Sequence, residues 1–581
     1  MQVPSIQNLG AHTANMFARI TTAFVLSGVL IGLLFLLAES VEADPTKQDV
    51  VGETNPFQGH LDDVVANQSN YGYLLETGDD ALLARIHLIR SATESIEIQT
   101  YIWTPDESGQ FVMWELYQAA LRGVQVRIII DDLSIRAMHN LVAYLTELHP
   151  NIAIKQYNPV ADDIDINVVE TAGGIATGFG KYNHRMHNKV LIVDETYGIT
   201  GGRNYENDYF DRGADRSFLD RDILLLGPVV EQMSTSFEEY WADDLSVPTS
   251  KMKDVKKAIQ NNEVEIPDIA LAYEIPFIFD GLSTCANSPD CVEGRITSRG
   301  VQLDEVIFVA DHPGKHEDGD DLAETTESLA KLIKSARKRM ILQTPYLVVG
   351  ARGNKVWRDI KKNNPNMKIL VSSNSLGAAD HFYAYAFSYK NKKKYLKQYQ
   401  WEIHEMKPSP SDINQMMVKV PGVERSGKHY ASIHAKTFLF DDDVVWLGSF
   451  NLDPRSARLN TEVGVIIRDR EFFELVEERI MLFTAPQNAW TIAPRREIPI
   501  VSSVNGVIEN VFALIPFANV WPFTYSASYE LREGGEVTPF YSKDFHDNYR
   551  SVGQFPGAEM TPKAIETRLT KAFFGPAEPM M

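Results

Sequence analysis

The stretch His187-Asn188-Lys189-Val190-Leu191-Ile192-Val193-Asp194 decides how this chain is read, because His434-Ala435-Lys436-Thr437-Phe438-Leu439-Phe440-Asp441 repeats it. In both, a histidine and a lysine two positions on share one side of an extended chain, a mostly apolar run follows, and an aspartate closes it. At the same distance beyond each histidine comes a small-residue turn, Gly201-Gly202-Arg203-Asn204 and Gly448-Ser449-Phe450-Asn451. Upstream, Leu88-Ile89-Arg90-Ser91-Ala92 is echoed by Leu332-Ile333-Lys334-Ser335-Ala336, and Gln99-Thr100 by Gln343-Thr344, at one constant offset. These matches make the chain an internal repeat of two homologous units. Two such units can face each other across a pseudo-twofold axis, as the subunits of a dimer do, and His187 and His434 then meet.

Each unit reads as α/β. Apolar residues at three- and four-residue spacings predict a helix over Ala81 to Ser91, followed by an extended run Ile96 to Trp103 and a helix near Met113 to Arg122. Val124 to Ile130 is a buried-strand candidate ending in Asp131-Asp132. Ser328 to Ala336, Met340 to Val348 and Met367 to Ser372 alternate similarly, and Lys189 to Val193 and Lys436 to Phe440 read as strands. This alternation predicts a largely parallel sheet covered by helices, with the His-Lys pairs at strand starts on a rigid frame.

At 581 residues, 44% apolar and 23% charged, the chain is long enough for two large cores. Its formal charge of -22 weighs against a protein that grips nucleic acid, and against broad adhesion to anionic lipid surfaces. Ile20 to Ala38 is mostly apolar, with Arg19 before it and Glu39, Glu42 and Asp44 after it, which suits a membrane anchor with the N-terminus inside. Val41-Glu42-Ala43 also fits a signal-peptide cleavage site, and either reading exports the body of the protein. Cys285 and Cys291, the only two cysteines, flank turn-forming residues and predict a local disulfide pinning a linker loop. They do not complete a zinc shell, so no structural metal is expected. His312 to Asp321 lacks ligand spacing and reads as a solvated loop.

Two His-Lys pairs in one cleft suit a phosphodiester, whose anionic phosphorus repels nucleophiles. Lys189, Lys436, Asn204 and Asn451 can neutralise and orient its non-bridging oxygens without a metal or other cofactor. One imidazole attacks phosphorus, and the other protonates the departing alkoxide and later takes the proton of the incoming hydroxyl.

At these residues the chain resembles the phospholipase D superfamily, whose signature is the duplicated His-Lys-Asp motif, over roughly residues 70 to 485. The resemblance implies two homologous phospholipase D-like α/β sandwich domains related by a pseudo-twofold axis, with the active site at their interface. It implies catalytic His187 and His434, with His187 the nucleophile. Lys189, Lys436, Asn204, Asn451 and Ser449 bind phosphate, and Asp194 and Asp441 support the fold. A separate acid orients each histidine; Glu462 is in the expected register and Asp222 is the candidate in the first half. Gly202 stands where the second half has Ser449, so its backbone amide is the phosphate donor expected there. The run Gly448 to Glu462 resembles the bacterial cardiolipin synthase branch. That branch implies phosphatidyl transfer between phospholipids at a lipid-lined site kept from water near a membrane.

The implied organisation is an anchor or signal over 1–43, a first domain over 44–250, a linker over 251–300, a second domain over 301–490 and an extension over 491–581. The partners expected are phospholipids and a membrane surface, not nucleic acid, and the internal symmetry suits a monomer. Phe382 to Tyr389 with the basic run after it, and Val507 to Trp521, are candidate lipid-facing or packed segments. Three other readings stand beside it: a hydrolase releasing phosphatidic acid, which would use the same residues; a phosphodiesterase acting on nucleic acid, disfavoured by the acidic balance; and a non-catalytic membrane-binding protein, against which both intact His-Lys pairs argue.

Overall fold

In a computed structural model, the chain is described over residues 55–135, 138–165, 183–261, 274–315, 323–495 and 525–558. Ile20 to Ala38 and Val507 to Trp521 lie outside these residues. Among the described residues no helix is long and apolar enough to cross a membrane.

The repeat seen in the sequence is a repeat of topology. The first half supplies β1 (Asn70–Leu75), β2 (Ser95–Thr100), β3 (Gln125–Asp131), β4 (Ile152–Tyr157), β5 (Val190–Val193), β6 (Tyr197–Gly201), β7 (Arg216–Leu219), β8 (Asp222–Leu226), β9 (Ser246–Pro248) and β10 (Val301–Leu303). The second supplies β11 (Glu305–Ala310), β12 (Arg339–Gln343), β13 (Lys368–Asn374), β14 (Glu402–Met406), β15 (Tyr430–Ile433), β16 (Lys436–Phe440), β17 (Val444–Gly448), β18 (Val463–Arg468) and β19 (Ala489–Pro494). The order β1-β8-β6-β5-β2-β3-β4-β9 in one sheet matches β11-β18-β17-β16-β12-β13-β14-β19 in the other.

Neither sheet is largely parallel. Only β2-β3-β4 and β12-β13-β14 run parallel, through helical crossovers. The motif strands turn back at once, β5 into β6 and β16 into β17, and a short turn can only join antiparallel neighbours. Asp194 and Asp441 make those turns. Both take positive φ, +51° and +56°, a conformation that aspartate tolerates better than most residues. The Asp194 carboxylate accepts backbone N–H groups of Thr93, Glu94 and Ser95, and Asp441 those of Arg337, Lys338 and Arg339. Each thereby ties its motif strand to the start of the neighbouring strand.

Alternation along the motif strands sorts side chains to two faces. Leu191 and Val193 enter a core beneath the helices Gly78–Ser91 and Glu107–Leu121, and Phe438 and Phe440 enter its counterpart. Val190, Ile192 and Leu439 face a third core. That core joins the halves through Ile223, Leu225, Val445, Leu447 and Val465 and the helices Val229–Ala242 and Arg470–Thr484.

Three segments differ from the sequence reading. The stretch read as a linker is folded onto the first half, where His87 Nδ1 lies 2.8 Å from the Ala286 carbonyl and Arg90 donates to Ser283 and Asn287, and β10, at the start of the range read as the second domain, pairs with β1. Cys285 and Cys291 form a disulfide there, between the helices Asp280–Ala286 and Pro289–Arg295. In the stretch read as solvated, Lys315 is buried and donates to Asp311 and to the carbonyls of Ser456 and Asn460. The polar tail adds β20 (Ser526–Leu531) and β21 (Tyr549–Gly553) to the second sheet. On the helix Phe382–Lys394, Tyr385 and Tyr389 pack inward while Tyr383 is exposed.

Candidate active site

The halves pair with each other at their seam. β15, which leads into His434, pairs in parallel with β7 of the first half, and the backbone before His187 bridges to Thr461 of the second. The His187 N–H donates to the Thr461 carbonyl (2.9 Å), and the His434 N–H to the Leu219 carbonyl (2.8 Å). Each histidine is therefore laid beside the residue preceding an acid of the other half. His187 Nδ1 lies 2.8 Å from Glu462 Oε2, and His434 Nδ1 lies 2.5 Å from Asp220 Oδ2. With Nδ1 occupied by the acid, Nε2 is the nitrogen left for chemistry, as in a triad.

The acid in the first half is Asp220, not Asp222. Sheet register explains why: Gly448 pairs with Gly464 and Gly201 with Asp222, so Asp222 corresponds to Gly464 and Asp220 to Glu462. Close approach fixes the glycines, since a Cβ on Gly448 would fall 2.5 Å from Gly464 Cα and one on Gly201 2.2 Å from Asp222 Oδ1. Asp222 is instead a buried structural anion. It pairs with Arg85 (2.9 Å) and Arg203 (3.4 Å) and accepts the N–H groups of Gly202 and Arg203.

That arrangement also overturns the role expected of the Gly202 amide, which donates to Asp222 (3.1 Å) and the Arg221 carbonyl rather than facing the cleft. The glycine is required for another reason: a Cβ there would lie 2.1 Å from Asp220 Oδ1. In the second half Ser449 occupies this place, and its hydroxyl donates to Glu462 Oε2 (2.5 Å) while accepting from the Val463 N–H. Ser449 thus holds the acid instead of pointing at a ligand. Ser456 donates to the other oxygen of Glu462 (2.6 Å).

The lysines and asparagines complete the cleft. Lys189 Nζ donates to the His187 carbonyl (2.8 Å) and stands 5.3 Å from the Tyr101 ring centre, while that ring meets His187 edge-on. Lys436 Nζ lies 2.7 Å from His434 Nδ1 and 3.0 Å from Nε2, and also donates to the His434 carbonyl. Asn204 donates from Nδ2 to the Tyr209 hydroxyl (2.8 Å), which stands 3.5 Å from His434 Nε2. Asn451 Oδ1 is buried and accepts no hydrogen bond among the described residues. An amide can present either end to a ligand, so this one fits an enclosed polar guest.

Electrostatics follow from crowding cations in a closed space. Burial, then Lys189 and Lys436, hold His187 well below the ordinary imidazole value. Burial and Lys436 push His434 down to about 4 against the pull of Asp220. Burial pushes Lys189 down to about 7 and Lys436 to about 8, and pushes Glu462 up to about 7. Burial works to raise Asp220 too, but Lys436 and His434 overcome it and hold the carboxyl below its usual range. These shifts favour neutral imidazoles, and between a neutral His187 and Glu462 the contact is a hydrogen bond. A bound anion reverses the balance on both lysines and favours their charged forms.

Asp220, Tyr209 and Ser456 were not reached from the sequence. Asp220 is visible only through strand register. Tyr209 and Ser456 stand at the same distance after Asn204 and Asn451, a correspondence hidden by their different chemistry.

A family model described as cardiolipin synthase, PLD-like domain, matches residues 85–241 and 329–481. An uncharacterized protein of Helicobacter pylori is 32% identical over 426 residues, 73% of this chain and 80% of the relative. Cardiolipin synthase C of Escherichia coli is 31% identical over 414 residues, 70% of this chain and 83% of the relative. The solved structure of phosphatidylserine synthase from Haemophilus influenzae is similar with a TM-score of 0.49 at 15% identity, over 78% of this chain and 98% of that one.

Proposed function

The chain belongs to the phospholipase D superfamily, and we propose that it moves a phosphatidyl group from one phospholipid to the hydroxyl of another, phosphatidylglycerol, forming cardiolipin through a phosphohistidine on His187. The observation that carries the reading is the pair of enclosed imidazoles, each with Nδ1 on an acid of the other half and a lysine beside it. In the first half-reaction His187 Nε2 bonds to phosphorus, the bond to the donor's headgroup oxygen breaks, and His434, which takes up a proton at Nε2 as the anionic phosphodiester binds beside it, gives that oxygen the proton. In the second, the acceptor hydroxyl passes its proton to His434 as its oxygen displaces His187. Lys189, Lys436, Asn204 and Asn451 hold the non-bridging oxygens throughout.

Transfer rather than hydrolysis is part of the proposal, supported by the likeness to a cardiolipin synthase and by the closure of the site, where both histidines are 6% exposed. Work at a membrane surface outside the cytoplasm is also part of it, supported by the apolar stretch Ile20 to Ala38. The test is incubation of the protein with labelled phosphatidylglycerol, with and without phosphatidylethanolamine, and identification of products by mass, with His187→Ala as control. Cardiolipin that disappears in the variant upholds the transferase. Phosphatidic acid alone, equally dependent on His187, replaces it with a hydrolase.

A further inference from the structure

We propose that the Tyr209 hydroxyl holds the reacting alcohol oxygen against His434 Nε2, and so sets the partition of the phosphoenzyme between an alcohol acceptor and water. The inference rests on the phosphohistidine reading above.

The histidine assigned the proton transfers is His434; among the described residues the Tyr209 hydroxyl stands 3.5 Å from its Nε2, and Lys436 Nζ lies over the ring, 2.7 Å from Nδ1 and 3.0 Å from Nε2. Tyr209 is 3% exposed, and Asn204 Nδ2 donates to its oxygen, which leaves the phenolic proton directed elsewhere. Burial keeps that phenol well above its ordinary value, so it remains a donor throughout the working pH range. The Tyr209 ring meets the imidazole edge-on at 5.1 Å, and Phe218 packs on both rings, at 4.9 Å from His434 and 4.6 Å from Tyr209. One side of Nε2 therefore carries an apolar wall with one hydroxyl in it. Such a wall suits the carbon-bearing side of an alcohol, and the hydroxyl suits its oxygen.

The ring that meets His187 edge-on is Tyr101, which comes from a different place in the chain. At the corresponding place after Asn451 stands Ser456, whose hydroxyl is turned to Glu462. Since Gly202 and Ser449 do not face the cleft with a free donor, the tyrosine supplies a function that neither motif turn performs.

The leaving and incoming alcohols occupy the same position, so the test separates the steps with phosphatidyl-p-nitrophenol, whose leaving group needs no proton. His187 displaces p-nitrophenolate and forms the phosphoenzyme. Added glycerol then gives phosphatidylglycerol, its proton passing to His434, whereas water gives phosphatidic acid. In Tyr209→Phe the release of p-nitrophenol is expected to persist, while the ratio of phosphatidylglycerol to phosphatidic acid falls about tenfold or more, the scale of one lost hydrogen bond to a reacting group. Replacing Tyr209 by 3-fluorotyrosine keeps the shape and strengthens donation, and is expected to raise the ratio. An unchanged ratio in either variant, or equal loss of both products together with p-nitrophenol release in a folded protein, overturns the proposal. Absence of a p-nitrophenol burst in the unaltered protein overturns the phosphohistidine reading, and this inference with it.

Discussion

The two halves share a skeleton and differ at the atoms that touch the histidines. Around His187 the acid is Glu462, clamped by Ser449 and Ser456 and pushed up to about 7. Around His434 the acid is the shorter Asp220, packed against Gly202 and held below the usual carboxylate range, and a tyrosine reaches the far nitrogen. Duplicated topology brings two equivalent imidazoles together; local substitutions then give them different work. A neutral imidazole that is not held by a strong anion suits a nucleophile, and one backed by a firm carboxylate suits a group that must accept and release a proton.

The largest effects should come from the histidines. His187→Ala and His434→Ala are each expected to reduce lipid turnover by roughly four orders of magnitude. With phosphatidyl-p-nitrophenol they should part: His434→Ala still forms a phosphoenzyme, while His187→Ala does not. Equal loss in both would erase the division of labour. Next come the acids. Asp220→Asn should lower turnover by roughly 10³ to 10⁴ with little change in melting temperature, since the amide favours the wrong imidazole tautomer. Asp222→Ala should act the other way, destabilising the fold by about 3–5 kcal/mol because it leaves Arg85 buried without its anion. Thermal melts beside activity assays on both variants would expose a mistaken register.

A smaller effect concerns pH. Binding needs charged lysines, and a lysine whose pKa is lowered loses its charge as pH rises, so kcat/KM should fall on the alkaline side through about 7 to 8. Lys189→Arg keeps its charge and should move that limb upward while lowering the maximum; an unmoved limb would assign it to another group. The smallest effects belong to Asp194→Ala and Asp441→Ala. Each should cost about 1–3 kcal/mol of stability through lost backbone hydrogen bonds, with nearly unchanged activity per folded molecule. Here the halves should behave alike, and unequal losses would show that the turns are not equivalent.

The repeat, the strand-bound His-Lys pairs, the asparagines and the disulfide cysteines were legible because they recur or stand at short local spacings. Helix Gly78–Ser91 and strand Lys436–Phe440 were legible from periodicity. Strand direction was not: a buried strand gives the same apolar run whether its neighbour is parallel or antiparallel, and the turn after Asp194 decides it. Asp220 escaped because the first half has a longer path between Gly202 and β8, so counting from the motif does not reach the acid and only the pairing of β6 with β8 tells it from Asp222. Lys315 escaped because its buried partners, Asp311 and the carbonyls of Ser456 and Asn460, are brought to it only by the fold.

The account stands most directly on which nitrogen carries phosphorus. Rapid quenching of the protein with labelled phosphatidylglycerol, followed by peptide mass mapping at alkaline pH to preserve the phosphoramidate, should locate the phosphatidyl label on His187 alone. Label on His434 would reverse the roles assigned to the two halves, and turnover without label on either histidine would contradict the covalent mechanism altogether.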